Sequence, residues 1–293
     1  MKAIKTKLSV GSLARAALVA GVLLSAHVAS AATVTANVGD LYIGFRKAGV
    51  TNNLLVDLGS VTNFTASSLG AGYGGTLANG ASFTPINLAA DLTAVFGSGW
   101  ANNPSDGSGV TWAVVGVTDA NNDNQAPFTN LTANSIYVTK ARTNPGVQSS
   151  TFVLGNLNNA SSGIQNVAAN YDGLTSTVNS NFAVIQATSD PGSWSALVGN
   201  QNSAFGTGKT LEQASSGAYS GPTDSVLDLY LGPNAGSTGG TTSLYLGNFS
   251  VASNGNVNFA AVPEPSTYAL LALTGTIFMV FIRRRNRLNN SLS

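Results

Sequence analysis

Asp40-Leu-Tyr-Ile-Gly-Phe-Arg46 is the stretch that decides the fold. Its apolar residues Leu41, Ile43 and Phe45 occupy alternate positions, and a period of two places them on one face of a β-strand. Similar runs, rich in β-branched and aromatic residues, recur between clusters of Gly, Asn and Ser at residues 54–58, 111–117, 135–139, 225–231, 243–251 and 256–259. Runs of this length and spacing predict an all-β protein, an antiparallel β-sandwich or jelly-roll-like domain with long polar loops.

A short motif of one aliphatic residue, Tyr, a second aliphatic residue and Gly occurs at residues 41–44, 229–232 and 244–247. In a strand the two aliphatic residues share the core face, and the Tyr lies on the other face, where we expect it to cover the small Gly of a neighbouring strand. The unequal separations favour a repeated strand solution over internal duplication. The last two copies flank a Gly-rich loop, which predicts an antiparallel hairpin.

One or two short helices are expected between the strands. Thr84 and Pro85 offer an N-cap and a first helical residue, apolar residues follow at helical spacing, and Gly97 ends the pattern. A second candidate runs from Ser162 to about Leu174, where apolar residues form one stripe. The rest of residues 148–220 is polar and shows no clear periodicity.

The amino terminus has the three parts of a secretory signal peptide. Basic residues between Lys2 and Arg15 precede an apolar run over residues 16–26, and Ala29-Ser30-Ala31 supplies the small residues that signal peptidase reads. We expect cleavage after Ala31, so that residues 1–31 are removed. An uncleaved anchor is the alternative, and the shortness of the apolar run disfavours it.

The two ends of the chain conceal an acidic middle. Residues 32–265 contain five basic and 12 acidic residues, a net charge of −7, whereas the whole chain has a net charge of +1. A sparse acidic surface disfavours nucleic acid and anionic membranes as partners. It is typical of a soluble extracellular protein.

Missing residue types exclude several kinds of chemistry. The chain has no cysteine, and its single histidine, His27, lies in the signal peptide. The mature chain therefore has no disulfides, no Ser-His-Asp or Cys-His catalysis and no histidine-based metal site. Carboxylate pairs remain possible, but none of the candidate aspartates stands in a recognisable catalytic frame: Asp57, Asp91, Asp106, Asp172, Asp224 and Asp228. We expect a protein that is not an enzyme and needs no cofactor, with aspartates in turns, caps and loops.

A calcium-like loop and two tryptophans are weaker signals for binding sites. Residues 119–124 partly resemble a calcium loop, but Asn124 and Asn130 stand where that loop has its glycine and its bidentate acid, so we expect a polar loop and no metal. Trp100 and Trp194 lie beside Gly, Ser and Asn, which makes them candidates for an exposed glycan-binding surface. Packing in the core is nevertheless the favoured interpretation for both rings.

The carboxyl terminus has a recognition segment, an apolar run and a basic cluster. Val262-Pro263-Glu264-Pro265-Ser266-Thr267 is expected to be extended, because each proline disfavours helix around it. The uncharged residues 268–282 predict a transmembrane helix, roughly 22 Å long against a hydrocarbon core of about 30 Å. The basic tail, residues 283–293, follows, and its arginines predict a stop-transfer signal on the cytoplasmic side: Arg283, Arg284, Arg285 and Arg287.

These three parts in this order resemble the PEP-CTERM sorting signal of Gram-negative bacteria. The resemblance covers residues 262–293 and implies an exported protein that an exosortase-type membrane transpeptidase cuts near the motif. It also implies an inner-membrane-anchored precursor that is later delivered to the cell surface or extracellular matrix. An ordinary single-span anchor with a chance Pro-Glu-Pro is the alternative.

Residues 32–261 form the expected extracellular β-rich domain. Its two end regions, around residues 40–60 and 244–250, resemble an uncharacterised class of PEP-CTERM ectodomains, to which no activity is attached. The sequence thus predicts a structural protein of the cell surface or matrix, associated with exopolysaccharide or biofilm. Its expected partners are the Sec machinery, signal peptidase, the exosortase and exopolysaccharide. A carbohydrate-binding surface module is the alternative, and an enzyme acting through aspartates comes third.

Overall fold

The structure is a computed structural model, and it describes residues 31–37, 39–64, 83–101, 109–118, 135–142, 147–149, 157–199, 213–214, 226–232, 243–261 and 278–279. Residues 1–30 of the predicted signal peptide and the calcium-like loop at residues 119–124 lie outside this part of the chain. The sorting motif, the stop-transfer arginines and most of the predicted transmembrane helix lie outside it as well.

Ten strands and three short helices make up the described structure. The strands are β1 (Asp40–Lys47), β2 (Asn52–Ser60), β3 (Ile86–Asn87), β4 (Val110–Val117), β5 (Ile136–Ala141), β6 (Ala183–Ala187), β7 (Gln213–Ala214), β8 (Val226–Gly232), β9 (Leu244–Val251) and β10 (Asn256–Ala261). The helices are α1 (Ala89–Phe96), α2 (Leu157–Tyr171) and α3 (Trp194–Gly199), and a 3₁₀ turn spans Val61–Phe64.

All strand pairings are antiparallel and belong to one sheet. Its order is β3-β10-β9-β8-β5-β4-β1-β2-β6, and β7 pairs with β4 off this path. The all-β antiparallel class predicted from periodicity is therefore confirmed, as is the β8–β9 hairpin. The nearly continuous apolar run at residues 111–117 forms β4, which lies in the interior of the sheet with both neighbours paired to it.

The sheet curls until its two ends face each other. Phe64, just after β2, contacts Phe249 of β9 and Phe259 of β10, with ring centroids 5.3 and 5.2 Å apart. Four strands separate β9 from β2 in the sheet order, so these rings meet only because the sheet bends back on itself. One curled sheet thereby gives the two-layered packing expected of a sandwich.

Helix α1 joins the two ends of the curled sheet. On one side, Leu88 N donates to Gly255 O beside β10 at 2.9 Å. On the other side, the buried carboxylate of Asp91 accepts hydrogen bonds from the hydroxyls of Thr177 and Ser180, just before β6. The helix therefore spans the gap that no strand pairing closes among the described residues.

The predicted start of this helix is wrong, although its end at Gly97 is confirmed. Residues 86–87 are extended instead, because β3 pairs with β10. The Asn87 side chain donates to Asn254 O at 3.0 Å, and its own Oδ1 accepts from Ala89 N at 3.0 Å. The Asn87 side chain thus accepts a hydrogen bond from the first residue of the helix, the role predicted for Thr84. The second predicted helix is confirmed as α2, which begins five residues earlier and ends before Gly173.

The two faces of the sheet bury different residues. Leu41, Ile43 and Phe45 are fully buried on the concave face, in register with Leu54 and Val56 of β2. The opposite, convex face carries the intervening side chains of β1 beneath α2 and α3: the Tyr42 ring lies 5.3 Å from that of Tyr171 in α2. Polar and titratable side chains collect on this convex face.

The tyrosines of the repeated motif pack differently from our expectation. Tyr230 and Tyr245 pair with each other across β8 and β9, with ring centroids 5.5 Å apart, rather than covering a glycine. The Trp194 ring fills the space above Gly44. A Cβ at residue 44 would lie only 2.0 Å from that ring. The strand interpretation of the motif holds, and the Tyr-on-Gly packing is wrong.

Candidate functional site

Both tryptophans named as candidates for a glycan-binding surface are buried, as the packing interpretation predicts. Trp100 is 4% exposed and Trp194 is fully buried. Trp194 begins α3, and its ring enters the convex face because Gly44 beneath it has no side chain. Trp100 follows α1 and belongs to the same buried core. Neither ring presents a free face on which a sugar could stack.

The residues of the sorting signal lie outside the described residues, but their point of attachment is visible. Strand β10 ends at Ala261, so Val262 follows the last residue of the sheet directly. In the predicted span only Phe278 and Met279 are described, in a helical turn, and both are exposed. The described residues contain no helix of the length and apolarity that crossing a bilayer requires.

The aspartates named by the sequence are dispersed over the fold. Asp91 joins α1 to the residues before β6, and Asp228 forms an ion pair with Arg142 at 2.8 Å on β8. Asp57 and Asp172 lie near one pocket, whereas residues 106 and 224 fall outside the described part. The structure therefore brings no set of the predicted aspartates into a catalytic frame among the described residues.

The Asp228 cluster is structural. Arg142 donates to both carboxylate oxygens of Asp228, and Ser149 N donates to Oδ2 at 2.6 Å. The Tyr230 hydroxyl hydrogen-bonds Ser149 in turn. Because the buried charges compensate each other and their hydrogen bonds are made within the chain, the cluster fixes residues 147–149 on β8 and offers no free group to a ligand.

Asp57 lies beside Asp40, a residue that no sequence motif singled out. The two carboxyl groups lie at the end of the β1–β2 hairpin, where a register shift between Leu41 and Tyr42 adds one residue to the pairing. Asp57 Oδ1 accepts from Gly59 N at 2.7 Å, and the two acids interact directly. The sequence did contain a signal, since pairing residues 40–47 with 52–60 about a short turn places both acids at the same end of the hairpin.

A pocket of about 270 Å³ opens beside this acid pair. One wall is the convex face of the sheet, with Asp40, Tyr42 and Val117, and the facing wall is α2, with Ile164 and Gln165. Tyr42 is 2% exposed, and its hydroxyl has no hydrogen-bond partner among the described residues. The neighbouring hydroxyl of Tyr171 donates to Phe182 O at 2.9 Å, so only one of these two tyrosine hydroxyls has a hydrogen-bond partner among the described residues.

The residues that follow the predicted signal cleavage site complete the pocket. Ala36 and Asn37 line it, and Ala36 N donates to Asp172 Oδ1 at 3.0 Å. This segment runs along the chain after α2, where Val34 N donates to Leu174 O and Ala32 N to Ser176 Oγ, both at 2.9 Å. The new amino terminus expected at Ala32 therefore lies in an ordered part of the fold.

Burial and mutual repulsion set the protonation of the acid pair. Burial, and then the charge on Asp40, raise the pKa of Asp57 to about 7, although the Gly59 N–H opposes the shift. Burial also raises the pKa of Asp40. Burial together with the two acids raises the pKa values of Tyr42 and Tyr171, which stay neutral. Below the Asp57 pKa of about 7 the pair thus holds a proton, and it then offers both a donor and an acceptor.

This arrangement can hold a ligand by hydrogen bonds. Asp40 is 5% exposed and its Oδ2 has no hydrogen-bond donor among the described residues, so it and the Tyr42 hydroxyl both have unused capacity. Within the described ranges, no three His, Cys, Asp or Glu side chains come close enough together to hold a metal ion. The chemistry present is that of polar recognition beside an apolar wall.

Comparison with known proteins gives one match. Residues 261–285 match the family model described as PEP-CTERM protein-sorting motif. No curated protein and no solved structure matches the chain significantly. The predicted resemblance of the tail is confirmed: the chain carries a PEP-CTERM sorting motif, which implies export and processing by an exosortase-type enzyme. The match begins at Ala261, where β10 ends.

Proposed function

We propose that the protein is an exported structural component of the cell surface or extracellular matrix, associated with the exopolysaccharide or biofilm of a Gram-negative bacterium. The observation that carries this proposal is the sorting-motif match at residues 261–285, which begins where the sheet ends. The buried hydrophobic core of the described residues runs from Val34 to Val257. A cut after residue 261 would therefore remove none of that core.

The proposed route has three steps. The Sec machinery exports the chain, and signal peptidase removes residues 1–31. The precursor then stays in the inner membrane through residues 268–282, with the arginines of residues 283–287 on the cytoplasmic side. An exosortase-type transpeptidase finally cuts near Val262–Thr267 and releases the domain to the surface.

The proposed role is structural rather than enzymatic. Removal of the signal peptide takes His27 with it, so that the mature chain has neither histidine nor cysteine for nucleophilic or metal chemistry. Its acids Asp91 and Asp228 are already committed to contacts that hold the fold. A polysaccharide-degrading activity lost on Asp57→Asn would contradict this part of the proposal.

A carbohydrate-binding module is the second candidate. Because Trp100 and Trp194 are buried, they do not form the glycan-binding surface first considered for such a module. The pocket beside Asp40 and Tyr42 is the observation that favours it, because unpartnered polar groups there face an apolar wall. The two candidates are compatible, since a matrix protein can hold its polysaccharide through such a pocket.

Sorting is tested by following the carboxyl terminus in a host with and without its exosortase. We expect cell fractionation and mass spectrometry to find surface protein that lacks residues 283–293 in the complete host. Without the exosortase, the uncut chain should remain with the inner membrane. Intact Arg283–Ser293 on surface protein from the complete host would show that the tail is a plain anchor.

Matrix association needs its own measurement. We expect the mature protein to co-sediment with exopolysaccharide prepared from the same host, and to be shed into the medium by a strain that makes no exopolysaccharide. The matched control is a chain with an unrelated exported domain before the same residues 262–293. Equal retention of both proteins, or no shedding from the deficient strain, would refute the association.

A further inference from the structure

The pocket between the convex face of the sheet and α2 has a composition that selects among ligands. Its volume of about 270 Å³ lies just below the roughly 300–1,000 Å³ of pockets that hold drug-sized molecules. A single ring-sized group fits it better than a chain of rings does. The walls combine polar side chains with the apolar surfaces of Val117 and Ile164.

The polar atoms are the main argument for a ligand. Asp40 and Tyr42 both line the pocket, are at least nine-tenths buried, and carry an oxygen without a hydrogen-bond partner among the described residues. A buried hydroxyl or carboxyl group without a partner costs about 1–3 kcal/mol, and structures retain such groups at sites of function. An occupant that donates to Asp40 and accepts from Tyr42 satisfies both groups at once.

The charges around the pocket limit what that occupant is. Among the described residues no lysine or arginine lines it, so these residues offer an anion no counter-charge there. The acid pair of Asp40 and Asp57 carries less than its full negative charge, since the raised pKa of Asp57, about 7, keeps a proton on the pair up to near-neutral pH. A full positive charge would have to displace that proton. A neutral group that both donates and accepts hydrogen bonds fits without changing it.

We propose that this pocket binds one neutral hydroxyl-bearing ring, a sugar residue, through the Asp40 carboxyl group, the Tyr42 hydroxyl and the amide of Gln165. Two neighbouring hydroxyls of the ring donate to Asp40 and accept from Tyr42, and its C–H face lies against Ile164 and Val117. That the sugar belongs to exopolysaccharide rests on the matrix role proposed above. The binding itself does not depend on that role.

The test uses the full chain in a zwitterionic detergent that contains no sugar, with ¹³C-labelled tyrosine observed by NMR. The probes are glucose, galactose and mannose as neutral sugars, glucosamine as a cation, glucuronate as an anion, and calcium chloride. At least one neutral sugar should shift the Tyr42 and Tyr171 signals saturably at millimolar concentration. Glucuronate should bind more weakly, because it meets two acids and no base.

Variants separate the pocket from the rest of the fold. Tyr42→Phe removes one oxygen and should weaken binding about threefold to tenfold, the value of one hydrogen bond. Gln165→Ala should also weaken it, and since the Gln165 side chain is exposed, the change leaves folding intact. The matched control is Tyr137→Phe, which makes the same change on the concave face and should leave the affinity unaltered.

Several results would overturn the proposal. These are the absence of saturable shifts with every neutral sugar, shifts with calcium or glucosamine alone, and unchanged affinity in both Tyr42→Phe and Gln165→Ala. Thermal melts establish that each variant is folded. Because this test needs neither sorting nor polysaccharide, failure of the matrix role would leave a positive result intact. A negative result here would leave the sorting proposal standing.

Discussion

Gly44 shows how one missing side chain directs the packing of an element. A Cβ at this position would lie 2.0 Å from the Trp194 ring, so the strand and α3 fit only with glycine there. We expect Gly44→Ala to displace the ring and to destabilise the fold by about 1–3 kcal/mol. For a domain of this size that corresponds to a fall in Tm of about 2–4 °C per kcal/mol, measured by circular dichroism.

The control for this prediction is Gly199→Ala, because a Cβ at Gly199 meets no atom within 4 Å. It should change Tm little. Combining Gly44→Ala with Trp194→Leu should cost less than the sum of the two single changes, since the smaller side chain makes room for the methyl group. Additive effects of the two changes would show that the ring does not lie over Gly44.

The Asp40–Asp57 pair should make stability depend on pH. The pKa of Asp57 is about 7 in the folded protein and near 3.8 in the unfolded chain. Between these values the folded state binds more protons, so stability falls as pH rises from about 4 to 7 and stays lower above that. Asp40, Tyr42, Tyr171 and Asp172 are the other titratable groups around this site.

We expect Tm to fall across this pH window in the unaltered protein. Asp57→Asn, which mimics the protonated acid, should flatten the profile and raise Tm at pH 8 by about 2–4 °C or more, equivalent to ~1 kcal/mol. Asp190→Asn is the control, because it makes the same change beyond the end of β6 that pairs with Asn52, away from Asp57. The fall in Tm should persist in this variant. A Tm that rises from pH 4 to 7 would contradict the assigned protonation.

At the scale of elements, α1 is the connection that closes the sheet. Asp91 is 1% exposed and accepts from Thr177 and Ser180. Asp91→Ala leaves two hydroxyls without that acceptor, and we expect a loss of about 2–4 kcal/mol in the free energy of unfolding. Thr93→Ala, on the exposed side of the same helix, should change it by less than about 0.5 kcal/mol.

Hydrogen exchange distinguishes this role from a local defect. If α1 joins the two ends of the sheet, Asp91→Ala should speed exchange in both β6, at one end of the strand order, and β10, next to the other end. Faster exchange confined to the residues around Thr177 would mean that the helix is a local cap and not a connection. Urea unfolding gives the free energies for comparison.

Sequence periodicity predicts elements well here and predicts their contacts poorly. Alternation identifies β1 and a nearly continuous apolar run identifies β4, because burial on one or on both faces of a strand imposes these patterns locally. The position of Trp194 depends on Gly44, 150 positions away along the chain, and no local pattern encodes that contact. Asp40 and Asp57 were also missed as a pair, although the hairpin that joins them is short. Their significance comes from burial, which only the folded sheet provides.

At the scale of the whole molecule, we expect the tail to control the fate of the domain. The Arg283–Arg287 cluster should hold the carboxyl terminus in the cytoplasm, since each charge near a membrane centre costs about 2.5–3.5 kcal/mol on insertion scales. Replacing its four arginines by Ser should let the protein pass into the periplasm uncut. Replacing Glu264 alone should leave insertion intact and impair cutting.

Fractionation and mass spectrometry of the carboxyl terminus distinguish these outcomes. Lys209→Ser is the matched control, because it removes a positive charge from the body of the chain and not from the tail. Its product should be cut and delivered normally. Normal processing of the chain without the four arginines would show that the apolar run alone positions the motif.

The attachment of the tail to β10 also has a mechanical consequence. If transpeptidation links the processed domain to the surface through its new carboxyl terminus, flowing liquid would pull it from the end of β10. This strand pairs along its length with β9 and over only two residues with β3. The load reaches the Ala261–Gly247 pair first and breaks the pairs between β10 and β9 one after another. In single-molecule pulling, a domain attached at residue 261 should therefore unfold at a lower force than a domain attached within β4. Strand β4 is paired on both sides, so that pulling on it must break both pairings at once. Equal rupture forces would show that the load spreads through the sheet. The weak pairing of β10 would then not determine the force at which the domain unfolds.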